Sequence, residues 1–153
     1  MEGRLVRITD EEEIKAIEEA LAKTEPLKPV KTHLNCALEL LSNRTNPNYR
    51  NSIKESISGV ESISKMILKV KKGNLSDALS ALEKALGDPL PPSLKLAFDK
   101  LYAYASAEDG IRHALMDEPK LDFEEAKFML VACSAFVSYL IVKADKAGIK
   151  LSQ

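Results

Sequence analysis

His113 is the residue of this sequence best suited to trading a proton near neutral pH, and it stands in the stretch SAEDGIRHALMDE, Ser106 to Glu118. Arg112 precedes it, and Asp109, Asp117 and Glu118 flank the pair. A guanidinium holds a phosphate through forked donors, so an arginine with a histidine supplies what phosphodiester cleavage by an internal 2′-hydroxyl requires without a metal. Adjacent helical residues diverge by about 100°, so Arg112 and His113 converge on one ligand atom only where the backbone leaves the helix. Gly110 permits such a departure. The competing reading is structural: Asp109 caps a short helix and His113 bonds Asp117 one turn on.

A second constellation lies in NRTNPNYRNSIKESISGVES. At helical spacing Arg50, Lys54, Glu61 and Lys65 share one face, beside an apolar stripe rather than opposite it. Charges at such a margin are partly desolvated, which strengthens them toward an anion and toward each other. Here too a plain reading stands beside the functional one, a solvated face on which Arg50 or Lys54 pairs with Glu61 or a neighbour. His33, near the start of another apolar segment, reads as a core or surface residue. The run KVKK, Lys69 to Lys72, suits the negative end of a helix dipole. With four tyrosines, four phenylalanines and no tryptophan, the sequence offers no clear platform for stacking bases.

The elements that must position these residues are helical throughout. Thr9 with Glu12 three residues later is a capping pair, and a helix is expected from about Asp10 to Lys23. Pro26 and Pro29 break and restart the chain, and Val30, Leu34, Ala37, Leu38 and Leu41 recur at helical spacing to near Ser42. Asn46 and Pro47 read as cap and first-turn residue of a long helix ending at Gly73, with Tyr49, Ile53, Ile57, Val60, Ile63, Ile67 and Val70 as its stripe. Ser76 is expected to cap the next helix, turning Leu79, Leu82 and Leu86 inward. After DPLPPS a face of Leu94, Ala97, Phe98, Leu101 and Tyr102 follows. Asp122 with Glu125 opens a last long helix to about Lys146, before Gly148. Its uncharged run FMLVACSAFVSYLIV, Phe128 to Val142, reads as a helix buried nearly all round and shorter than the ~20 residues of a membrane span. The expected fold is all-α, a bundle of five or six helices with two long ones, made by residues 10–153 as one domain behind an extension or linker remnant at 1–9.

The totals bound the function classes. A chain of 153 residues buries a sizeable core without disulfides or metal. Twenty-two basic against 23 acidic residues leave no global field toward nucleic acid or an anionic membrane, so any RNA contact comes from a local patch. Cys36 and Cys133 lie inside apolar segments and read as two buried thiols, which fits a reducing cytoplasm. The start, MEGRLVRITDEEE, is soon acidic and has no long apolar core, so it reads neither as a signal nor as a transit peptide. Zinc spacings and the Walker, Rossmann, metalloprotease and nucleophile-elbow signatures are absent, so no cofactor and no metal is expected.

Taken together, ELLSNRTNPNYRNSIKESISGVESISK, LKLAFDKLYAYASAEDGIRHALMDE and LDFEEAKFMLVACSAFVSYLI resemble the helical C-terminal region of abortive-infection proteins of the AbiJ type. That region is similar to HEPN domains, small helical domains that usually dimerise. The resemblance runs from about Ile8 to Val142, with NPNYRNSIKESI and DGIRHAL its most specific parts. It implies a cytoplasmic phage-defence or toxin role, a homodimer, and an N-terminal partner domain joined through a segment like GRLVRITDEEEIKAIEEAL. It also implies a metal-independent endoribonuclease whose motif is an arginine, four to six residues, then a histidine. His113 matches the histidine, while Glu108, Ala107 and Ser106 stand where the arginine belongs. Two alternatives remain. Arg112, or Arg50 with Asn51, supplies the phosphate clamp, with Lys54 beside it and Asp109 or Asp117 orienting the His113 imidazole. Otherwise the domain is a catalytically inactive module for dimerisation, interaction or nucleotide sensing.

Overall fold

The computed structural model describes residues 10–72, 74–106 and 121–151. Six helices account for them: α1 Glu11–Lys23, α2 Lys28–Ser42, α3 Tyr49–Leu68, α4 Leu75–Leu86, α5 Pro92–Ser106 and α6 Phe123–Lys146. No strand occurs among the described residues. The fold is an all-α bundle in which α3 and α6 are the long elements.

α1 starts at Asp10, whose side chain accepts from the backbone N–H of Glu12 at 2.9 Å and of Glu13 at 3.4 Å. The Thr9 cap expected there lies outside the described residues. α3 begins later than Asn46–Pro47 suggested. Asn43 takes the N–H groups of Thr45 and Asn46 in a turn, and Asn48 caps the helix by accepting from Asn51 N at 3.1 Å. α3 also stops earlier than expected. The helix ends at Lys69, which is left-handed (φ 55°), and Val70 N–H returns to the Lys65 carbonyl at 3.2 Å, while the expected stop at Gly73 lies outside the described residues. Val70 therefore leaves the stripe and is exposed. On α4 the cap is Asn74, accepting from Asp77 N at 2.8 Å, rather than Ser76, and Leu75 joins Leu79 and Leu82 inside while Leu86 is half-buried. α6 opens with the expected Asp122/Glu125 capping box, and beyond it Gly148 turns left-handed (φ 71°) while Ile149 N–H bonds the Ala144 carbonyl at 2.9 Å.

One core unites the bundle, with Ile17 of α1, Leu34 of α2, Ile53 and Ile63 of α3, Leu79 and Leu82 of α4, and Met129, Leu130 and Leu140 of α6. Each such side chain contributes about 1.5–3 kcal/mol by leaving water. α2 and α3 pack antiparallel and close: Ser52 donates to the Ala37 carbonyl at 2.8 Å, and a Cβ on Gly59 would stand 3.3 Å from Leu34 Cδ2. α6 runs parallel to α1 and α3. Glu13 pairs with Lys127 at 3.2 Å near the starts of α1 and α6, and the rings of Tyr49 and Phe123 meet edge to face at 6.4 Å near the starts of α3 and α6.

α5 lies against this core as a less committed layer. None of its side chains from Pro92 to Tyr104 is fully buried, and Ala97, expected inside, is exposed. Phe98 stacks on Phe136, and Lys95 pairs with Glu83 of α4. An apolar gap of about 10 Å³ under α5 is walled by Ile57, Leu101, Cys133 and Phe136, and burial pushes the Cys133 thiol up to about 12.

The last helix departs most from expectation. By length and composition α6 is long and apolar enough to cross a membrane, and half of that apolar stretch is buried within the bundle. Its other side is not covered by the described residues. Phe128 is 57% exposed, Val142 39%, and Ala135 between them is exposed, so the helix expected to be buried nearly all round has one open apolar face.

Candidate functional site

The polar margin of α3 is where the structure places the second constellation. Arg50 sits in the first turn, half-buried, and its Nε is buried with no hydrogen-bond partner among the described residues. Asn51 and Lys54 are exposed beside it. No acid occupies that first turn, so nothing on the helix itself offsets the positive helix end next to the guanidinium. Tyr49 adjoins Arg50, and its ring contact with Phe123 puts Arg50 at the end of the bundle where the chain enters α6.

Glu61 has a different partner from the one the face suggested. The Tyr102 phenol donates to its Oε1 at 2.7 Å across α5 and α3. Burial, and then the carboxylate that accepts from it, push the Tyr102 phenol up to about 12. Lys65 is half-buried on the same face. The four charged residues thus share a margin, and the Tyr102–Glu61 bond across it joins α5 to α3.

The first constellation, Asp109, Gly110, Arg112, His113, Asp117 and Glu118, lies outside the described residues. Its described flanks are Ser106, the last residue of α5, and Leu121, just before the Asp122 cap. Tyr104 is close enough to Glu125 for the carboxylate to raise its phenol, after burial as the larger cause. The end of α5 therefore meets the start of α6 at the end of the bundle that holds Arg50.

A polar pair that the sequence did not single out joins α2 to α3. His33 Nδ1 lies 2.6 Å from Glu55 Oε2, with both side chains about one-third exposed (34% and 33%). Cys36, one turn along α2, has its thiol raised by burial first and then by Glu55 and Glu39. A thiol held in its neutral form is a poor nucleophile, so this cluster is suited to joining helices rather than to thiol chemistry. The His33–Glu55 partnership spans 22 positions, and no local spacing signals it. Among the described residues no group of three or more His, Cys, Asp or Glu is arranged to hold a metal ion.

A cleft of about 550 Å³ opens at the far end of the bundle, between the α1–α2 turn and the end of α6. Leu27, Ile141 and Ile149 form its apolar wall, and Lys23, Asp145 and Lys150 its rim. It does not adjoin Arg50, which belongs to the opposite end. Compared with known proteins, the chain matches no family model, no curated protein and no solved structure.

Proposed function

We propose that this chain is a HEPN-like interaction domain of the abortive-infection type that works by helix-mediated self-association. The observation that carries this reading is the uncovered face of α6, where Phe128, Ala135 and Val142 follow one another without a charge between them. An exposed apolar stripe of this length on a bundle whose interior is otherwise well filled marks an interaction surface. The resemblance to HEPN domains points the same way, since those domains usually pair. A reducing cytoplasm suits the two free thiols, Cys36 and Cys133.

A second reading is favoured by one specific observation, the Nε of Arg50, which is buried and has no hydrogen-bond partner among the described residues. In this reading Arg50, with Asn51 and Lys54 beside it, holds an RNA phosphate, and His113 transfers the proton in metal-independent cleavage that serves a toxin or phage-defence role. An orphaned guanidinium donor costs stability unless a ligand uses it.

Mass action tests the first reading. A self-associating fold becomes more stable as its concentration rises, so the thermal midpoint of the native chain should climb over a hundredfold concentration range. That of Phe128→Asp should not. A native midpoint independent of concentration overturns self-association. Incubation of native protein, Arg50→Ala and His113→Ala with single-stranded and structured RNA in EDTA tests the second. Cleavage by the native chain that both substitutions abolish supports it, and no cleavage, or equal cleavage by all three, rejects it.

A further inference from the structure

The open face of α6 has an internal symmetry that identifies its partner. Ala135 is exposed at its centre. Val131 and Tyr139 stand four residues to either side, Phe128 and Val142 seven, and Glu124 and Lys146 eleven. Displacements of four, seven and eleven are those that keep helical residues on one face, so these positions form a single line of about six turns. Phe128, Ala135 and Val142 are exposed along it, Val131 and Tyr139 half-buried, and Glu124 and Lys146 exposed at its two ends.

We infer that this face receives a second copy of the chain, with the two α6 helices antiparallel and related by a two-fold axis at Ala135. This rests on the interaction-domain reading above and names its partner and orientation. A two-fold axis there sets Phe128 of one protomer against Val142 of the other and Ala135 against its own copy. The small alanine at the crossing lets the helix axes approach to the ~8 Å lower limit of helix packing. At each end Glu124 meets the partner's Lys146, so two opposite-charge pairs close the stripe. The parallel alternative would set Glu124 beside Glu124 and Lys146 beside Lys146, with like charges at both ends. Charge therefore selects the antiparallel register even though the apolar stripe would tolerate either. Lys127 and Lys143 do not disturb it. They flank the stripe on opposite sides, and Lys127 is engaged by Glu13 while Lys143 lies over the Tyr139 ring at 5.6 Å. At the Glu125 end Tyr104 extends the same surface onto α5.

Cysteine pairing and charge reversal test the orientation. In a Cys36→Ser background, Ala135→Cys should give a covalent dimer under mild oxidation, because a two-fold axis at that position brings the two thiols within bridging distance. Phe128→Cys alone should not, whereas a mixture of Phe128→Cys and Val142→Cys chains should cross-link one to the other. Glu124→Lys and Lys146→Glu should each weaken self-association by roughly tenfold, since each breaks two exposed pairs per dimer. The double reversal should recover the native affinity. A native dimer that Ala135→Cys fails to cross-link, or whose charge reversals are not rescued by combination, overturns the register and leaves self-association standing. A native chain that stays monomeric at every concentration, or that instead floats with neutral phosphatidylcholine vesicles, removes both.

Discussion

The Tyr102 phenol donates a 2.7 Å hydrogen bond to Glu61, joining α5 to the middle of α3 across 41 positions of sequence. α5 has no fully buried side chain from Pro92 to Tyr104, so this bond, the Phe98–Phe136 stack and the Lys95–Glu83 pair help specify its seat. Tyr102→Phe removes the donor while keeping the ring, and the expected cost is about 1 kcal/mol in urea unfolding. The pH dependence has a definite sign. The folded phenol titrates at about 12 against 10.0 for the free group, so the unfolded chain loses its proton first. This contribution is whole below pH 10 and disappears as pH rises toward 12, and Tyr102→Phe should flatten that part of the alkaline loss.

The cap of α4 falls on Asn74 and not on Ser76, the residue the sequence suggested. Asn74→Ala should cost about 1 kcal/mol, because Asp77 N–H then loses its acceptor. Ser76→Ala should change little, since Ser76 is exposed within the helix and its side chain caps nothing. Thermal unfolding of the two variants beside the native chain checks the assignment, and a larger loss from Ser76→Ala would contradict it.

Arg50 offers a test in which stability and binding part ways. Its Nε is buried without a hydrogen-bond partner among the described residues, so Arg50→Met should leave the unfolding free energy unchanged or higher. If the RNA reading holds, the same substitution should weaken binding of a short single-stranded RNA and reduce its salt dependence. A marked loss of stability would instead show that the guanidinium is part of the scaffold.

Local chemistry explains which parts of this fold were legible. The Asp122/Glu125 box and the Gly148 stop depend on groups within a few residues of each other, and both appear where the sequence puts them. The end of α3 does not. Ile67 is the last buried residue of its stripe and Leu75 must return to the core, so the chain turns at Lys69 although that left-handed conformation costs a lysine roughly 1–2 kcal/mol. Periodicity placed Arg50 and Glu61 on one margin, but it could not tell that a tyrosine 41 positions away would take Glu61. Nor could it tell how much of α6 its neighbours would cover. A helix apolar on every side reads as buried on every side, and here the other helices cover the flank of Met129, Leu130 and Val137 while leaving that of Phe128 and Val142 open.

Self-association through that open flank is the central claim, and sedimentation equilibrium of the native chain beside Phe128→Asp tests it most directly. Phe128 is 57% exposed, so its replacement leaves the core of the protomer untouched. The native chain should sediment at twice its 16.9 kDa mass and the variant at that mass, both with the same helical circular dichroism. A native chain that sediments at the single mass across the concentration range, or a variant that stays dimeric, would contradict the account.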